Sequence, residues 1–186
     1  MVKNYNEILY ANERIECEHI ILRKAIIEDA QNVLDKGTDP EVLKYIGWPG
    51  VQDIEEARQS IYNFYWSNPG QWVIEDKNSG RCAGDIILML DHRHDRASVA
   101  YSLSREFWGK GFMTEALQAV IKLCFEGLEA NRVYAQHFVG NVGSGRVMEK
   151  CGMINEGIAR QSMLAKGVYH DVVTYGITRD MWVKPI

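Results

Sequence analysis

Two short glycine-rich segments hold the residues of this chain best suited to chemistry. The first is Phe107-Trp108-Gly109-Lys110-Gly111-Phe112-Met113-Thr114; the second is Gly140-Asn141-Val142-Gly143-Ser144-Gly145. Each stands between a β-rich run and a helical pattern. Glycine takes positive φ without penalty and lets backbone pass close to a ligand. The first amides of a helix have no partner within it and carry the positive end of its dipole. A strand-to-helix turn of this kind therefore suits an anion, and Lys110 adds a cation. The first turn is not the phosphate loop of NTPases, which needs four residues between its glycines and then Lys-Ser/Thr. Nor is it GxGxxG, because Thr114 stands where the third glycine would be.

The elements that must position these turns follow from pattern. His19–Ile27 reads as a strand. Asp29 offers a cap for a helix to about Lys36, and Asp39-Pro40 opens a short helix closed by Gly47. Asp53-x-x-Glu56 is a capping box for a helix through Trp66, ended by Asn68-Pro69-Gly70. A meander follows in Gln71–Asp76, Cys82–Leu90 and Ala97–Leu103. Met113, Ala116, Leu117, Val120, Ile121, Cys124, Phe125 and Leu128 then recur at helical spacing, the strongest amphipathic signal in the chain. Arg132–Val139 reads as a strand, Asn141–Cys151 as a short helix, and Met153–Arg160 and Tyr169–Ile177 as strands joined by a turn at Lys166-Gly167. The order predicts an α/β fold with a meander feeding a βαβα unit.

Composition bounds the answer. The chain has 186 residues, 46% of them hydrophobic, which predicts one folded domain over 1–186 and argues against disorder. A net charge of −4 gives no general field for nucleic acid. No apolar run is long enough for a membrane helix, and the charged N-terminus is no secretory signal, so neither membrane nor nucleic acid is an expected partner. Cys17, Cys82, Cys124 and Cys151 lack metal or disulfide spacing and read as four buried thiols of a cytoplasmic protein. His92 and His94 form a pair in a charged turn with no third ligand, so no metal is expected. Half of the sixteen glycines fall between Gly109 and Gly157, and function is sought there.

Taken together, the two turns resemble a family. The run Leu103-x4-Trp108-Gly109-Lys110-Gly111-Phe112-Met113-Thr114-Glu115-Ala116 comes first. Asn141-x-x-Ser144-x-Arg146-Val147-x-Glu149-Lys150-x-Gly152-Met153 and Glu156-Gly157 follow it. In this order they are similar to the GNAT superfamily of acetyl-CoA-dependent N-acetyltransferases, in the branch of the ribosomal-protein N-terminal acetyltransferases (RimJ/RimL-like). The resemblance implies a mixed, mostly antiparallel sheet of about seven strands flanked by helices, with two strands splayed around acetyl-CoA. It implies that the coenzyme pyrophosphate sits on the amides of Gly109 to Thr114, with Trp108 and Lys110 also binding the cofactor. The Leu103 amide would bond the cofactor or the thioester carbonyl, and Asn141 and Ser144 would line the thioester end. Arg146 and Lys150, at i and i+4 on one helix face, would meet phosphates. The branch suggests a homodimer.

Three positions depart from the wider pattern. Trp108 replaces the usual Gln or Arg, as is common in this branch. Met113 replaces a small residue and is expected to shield the first amide partly. Met148 stands where many relatives carry a tyrosine acid, and methionine cannot donate a proton; Ser144 then becomes the candidate donor.

The implied chemistry is direct attack of an amine on a thioester. Positioning alone can supply up to about 7–11 kcal/mol, and a backbone oxyanion donor such as Leu103 N–H about 2.7–4 kcal/mol. An α-amine, with a pKa of about 7.7–8.0, is far easier to deprotonate than a lysine at about 10.4. His137, Glu106 and Asp171 with His170 are candidate bases, while Tyr45, Trp48, Tyr65 and Trp66 are expected to wall the acceptor pocket. Two other readings stay open: a non-catalytic acyl-CoA-binding module, kept alive by Met148, and a nucleotide-dependent oxidoreductase. The second rests on the GxxGxG run of Gly140–Gly145, whose short helix and short downstream sequence suit it poorly.

Overall fold

Ile20 and Leu22, Trp72 and Ile74, Ile86 and Leu88, Ala97 and Val99, and Val133 and Ala135 alternate along five segments, and every one of them is buried. A period of two places them on one face of a sheet. The computed structural model, which describes residues 4–182, assembles that sheet from eight strands. These are β1 (Ile15–Glu16), β2 (Ile20–Arg23), β3 (Gln71–Asp76), β4 (Cys82–Asp91), β5 (Arg96–Leu103), β6 (Arg132–Phe138), β7 (Ile154–Ala165) and β8 (Val168–Thr178). Their order is β1-β2-β3-β4-β5-β6-β8-β7, antiparallel throughout except where β5 meets β6. Short turns join β1 to β2, β3 to β4 and β4 to β5, whereas the connection from β2 to β3 carries three helices. The parallel pair needs a crossover, and α5 (Phe112–Lys122), extended by a wide turn at Leu123–Gly127, supplies it.

That crossover helix buries Met113, Ala116, Leu117, Val120 and Ile121 against the apolar face just described. Each of these side chains larger than alanine contributes about 1.5–3 kcal/mol. A second helix on this face, α6 (Val142–Lys150), follows β6. The opposite face is covered by α2 (Ala30–Thr38), α3 (Pro40–Leu43) and α4 (Ile54–Ser60), whose Val33, Ala57 and following Ile61 and Tyr65 pack on Val73.

Several local readings change. Asp29 does not cap α2: its carboxylate accepts from the Ile26 amide and pairs with Arg23, so the strand ends at Arg23 rather than Ile27. Asp39 and Asp53 do cap, accepting from Glu41 and from Glu55 and Glu56 respectively. A helix at Tyr5–Ala11 (α1) and the two-residue β1 carry no strong period and went unread, which makes the sheet eight strands rather than seven. β7 runs on to Ala165 instead of ending near Arg160, because Lys166 and Gly167, with φ of +51° and +77°, make a tight two-residue hairpin with β8. Arg132 on β6 and Glu156 on β7 form an ion pair although β8 lies between their strands. They meet over Gly176 of β8, where a Cβ would stand 2.6 Å from both groups.

Candidate active site

β5 and β6 are paired only from Arg96 with Arg132 to Val99 with Ala135. Beyond that point both strands continue, to Leu103 and to Phe138, without pairing to each other. β5 stays joined to β4 as far as Gly84 with Leu103. The result is a wedge-shaped gap inside the sheet. Antiparallel pairs alternate between hydrogen-bonded and open. The Ser104 amide donates to the Ala83 carbonyl at 2.9 Å, so the adjacent Gly84–Leu103 pair is open and Leu103 N–H turns away from β4 into the gap. The Leu103 carbonyl is taken by the Trp108 indole N–H at 3.0 Å, which pins the loop to the end of β5. Gly84 is required beneath it, since a Cβ there would lie 2.1 Å from the Ser102 carbonyl oxygen.

The loop after β5 is bare backbone on its outward side. Gly109 and Gly111 hold φ of +76° and +85°, and a Cβ on either would meet nothing within 4 Å. Among the described residues no side chain caps α5, and its first ladder bond runs from Glu115 N to Gly111 O at 3.1 Å. The amides of Phe112, Met113 and Thr114 precede that bond, and together they form an anion cradle. Met113 is buried with Phe112 in the core, so the expected shielding of the first amide by its side chain does not arise. Lys110 is exposed, its ammonium 4.7 Å from the centre of the Phe107 ring.

Across the gap, Asn141 caps α6 by accepting from the Ser144 amide at 3.2 Å. The Tyr101 hydroxyl reaches over from β5 and donates to the Ser144 carbonyl at 3.2 Å. Burial pushes the Tyr101 phenol well above its ordinary range, so it stays protonated. Arg146 and Lys150 lie exposed on the outer side of α6. Met148 points the other way and is buried in the core.

On the face of α2–α4 a cavity of about 910 Å³ opens and continues through the gap to Tyr101, Asn141 and Ser144. Tyr45, Trp48 and Tyr65 line it as expected. Trp66 does not, because its indole donates to the Ala25 carbonyl at 2.8 Å; Phe64 lines the wall instead. The floor holds a polar cluster that sequence reading missed. The Lys36 ammonium pairs with Asp85, and the Ser102 hydroxyl lies 3.0 Å from Lys36 and donates to Asp85 at 2.7 Å. The buried Tyr65 phenol also bonds Asp85, and burial drives its pKa far up. Two signals were present: a lysine on the apolar side of α2 beside Val33, and an aspartate at an inward strand position opposite Val73.

A glycine cradle on an uncapped helix beside a parted strand pair is a site for an anionic, elongated ligand whose far end enters a cavity. A family model described as an acetyltransferase (GNAT) domain matches residues 19–154. The chain is a GNAT acetyltransferase. It is 31% identical over 170 residues to YoaA of Bacillus subtilis, an uncharacterised N-acetyltransferase, covering 89% of this chain and 96% of that one. It is 31% identical over 84 residues to the ribosomal protein uS5-alanine N-acetyltransferase of Escherichia coli, covering 45% of this chain and 43% of that one. The fold matches RimL, the ribosomal L7/L12 α-N-protein acetyltransferase solved with coenzyme A, at a TM-score of 0.78 and 22% identity, covering 91% of this chain and 99% of that one. The family overturns the oxidoreductase reading of Gly140–Gly145.

In this GNAT fold the candidate bases are scattered. His137 Nδ1 donates to the Phe138 carbonyl at 2.9 Å, which leaves Nε2 as a bare acceptor. That nitrogen is buried without a partner among the described residues and faces Gly145 of α6, where a Cβ would lie 3.2 Å away. Glu106 is exposed and held in a two-pronged pair with Arg81, at 2.6 and 2.8 Å, which keeps its carboxyl below the usual range. Asp171 accepts from the Gln161 amide outside the cavity, and His170 stacks on Phe138. His92 stacks on Tyr5, and among the described residues no cluster of His, Cys, Asp or Glu could hold a metal. All four cysteines are thiols, with Cys124 and Cys151 buried and Cys17 and Cys82 only half-buried. Among the described residues no helix is long and apolar enough to cross a membrane.

Proposed function

We propose that the chain acts as one catalytic domain that transfers acetyl from acetyl-CoA to a primary amine, with a protein N-terminal α-amine as the favoured acceptor. The observation that carries this reading is the continuity of the Gly109–Thr114 cradle, the gap between β5 and β6, and the cavity behind it. In it the pyrophosphate lies on the amides of Gly109 to Thr114 with Lys110 beside it, and the pantetheine arm enters the gap. The amine arrives neutral from the cavity on the α2–α4 face and attacks the thioester carbon. Leu103 N–H takes the carbonyl oxygen as it becomes an oxyanion, a contribution of about 2.7–4 kcal/mol. Asn141 and Ser144 border the thioester, and Arg146 and Lys150 stand on the outer face of α6 for the remaining phosphate. The E. coli relative and RimL are named for acting on protein N-termini, and an α-amine is the easier amine to deprotonate at neutral pH. His137 would serve as base only after its ring turned Nε2 out from under α6. The free cysteines and the ribosomal-protein relative support a cytoplasmic enzyme, and the branch suggests a homodimer.

Acetyl-CoA should raise the melting temperature while NAD and NADP do not, and thiol release should follow when N-terminal peptides are supplied. A response to NAD in place of acetyl-CoA would sink the assignment. Met148, buried and unable to donate a proton, favours one second reading, an acyl-CoA-binding module. Binding of acetyl-CoA with no thiol release across peptides, polyamines, aminoglycosides and amino acids would select it.

A further inference from the structure

Acyl transfer expels a thiolate, and whichever group meets that sulfur decides how readily the C–S bond breaks. Six polar side chains on the parted ends of β5 and β6 and the start of α6 line the cavity: Tyr101, Ser102, Gln136, His137, Asn141 and Ser144. The Ser102 hydroxyl is spent on Asp85, and the Gln136 amide on Thr174. The His137 ring N–H is spent on the Phe138 carbonyl, and its other nitrogen is turned under α6. Asn141 is occupied as the cap of α6, and an amide is a poor acid in any case. Two hydroxyls remain, and a phenol is a far stronger acid than an alcohol. The Tyr101 hydroxyl already stands at the first turn of α6, 3.2 Å from the Ser144 carbonyl. Its residue is two positions from Leu103 on the same side of β5, a separation of about 6.8 Å.

We propose that Tyr101 is the proton donor to the departing coenzyme A thiolate. The proposal rests on the acyl-transfer reading above. The amine lone pair forms the N–C bond and the carbonyl pair moves onto oxygen at Leu103 N–H. The ammonium proton of the adduct leaves to solvent. Collapse restores C=O and places the C–S pair on sulfur, which takes the proton from Tyr101 Oη. The phenolate regains a proton from solvent, so the sum is acetyl-CoA plus amine giving amide plus free thiol. The hydroxyl swings from the Ser144 carbonyl to the sulfur, a change in one side chain.

Tyr101→Phe in the full chain tests this, using acetyl-CoA and the N-terminal peptide that gives wild-type thiol release. Its kcat should fall about 10²-fold or more, while the rise in melting temperature on adding acetyl-CoA is retained. A kcat within about threefold of wild type overturns the proposal. So does loss of the acetyl-CoA response, which would make Tyr101 a prop of the gap. Replacing Tyr101 by 3,5-difluorotyrosine preserves the shape with a more acidic phenol and covers a Phe variant that does not fold. The alkaline limb of kcat should then move to lower pH, and an unmoved limb overturns the proposal. Turnover by wild type beside an unimpaired Phe variant removes only the role of Tyr101. A wild type that binds acetyl-CoA and releases no thiol removes the acyl-transfer reading with it.

Discussion

Gly111 concentrates two demands in one position. Its φ of +85° belongs to the left-handed region, and its outward side is open. Any side chain therefore strains the backbone by about 1–3 kcal/mol, and what that side chain carries then decides binding. Gly111→Ala should lower the melting temperature and still respond to acetyl-CoA. Gly111→Glu should lower it similarly and bind acetyl-CoA at least about tenfold more weakly, a cost of ~1.4 kcal/mol, because a carboxylate would face the cradle. Calorimetric titration of both variants checks this, and equal affinities would refute the assignment of the loop. Residues of this kind were legible in the sequence, because the constraint on Gly109 to Thr114 is local and written in consecutive letters. The Lys36–Asp85–Ser102 cluster was not legible, since its members come from α2, β4 and β5 and only packing brings them together. Trp66 misled for the same reason: its place next to Tyr65 in the chain says nothing of which way the indole turns to find the Ala25 carbonyl.

Among the elements, the strand trio β6-β8-β7 is fastened by a charge pair that spans its middle member. Hydrogen bonding to Arg132 holds the Glu156 carboxyl below its ordinary range. A depressed folded-state pKa means stability that is present above the unfolded value of about 4.3 and is lost as pH falls through the folded one. The pair is partly exposed, with side chains 26% and 30% accessible, so its worth is at most about 1 kcal/mol. Glu156→Gln should accordingly melt below wild type at neutral pH, and the difference should shrink as both are acidified past that range. Melts at a series of pH values measure it; a constant difference would mean that the carboxylate contributes shape and not charge. The fold order itself was readable, for α5 announced its period over eight apolar positions and the strands their turns. The N-terminal helix and the length of β7 were not. Tyr5–Ala11 is too short to show a period, and β7 is nearly all exposed, so burial imposes no alternation on its sequence.

For the molecule as a whole, the order of the sheet places the one parallel pair between two antiparallel halves. The helices divide the work: α5 and α6 seal the apolar face and bring their N-termini to the gap, while α2–α4 roof the cavity on the other face. A continuous eight-stranded sheet has two edges, here β1 and β7. Because β5 and β6 part after Val99 and Ala135, this sheet carries a third edge in its interior. Unpaired strand edges recruit other chains when exposed, and this one is shielded by the protein's own helices. Its signature is kinetic. The amides of Tyr101 and Leu103, flanked by strands on both sides, should exchange with deuterium faster than those of Ile86 and Leu88 on the neighbouring β4. Acetyl-CoA should slow that exchange. Protection equal to that of β4 without ligand would show that the gap is closed in solution. If it is open, a central strand of the fold is less stable at its end than its neighbour β4, and the ligand completes the sheet that the chain leaves unfinished.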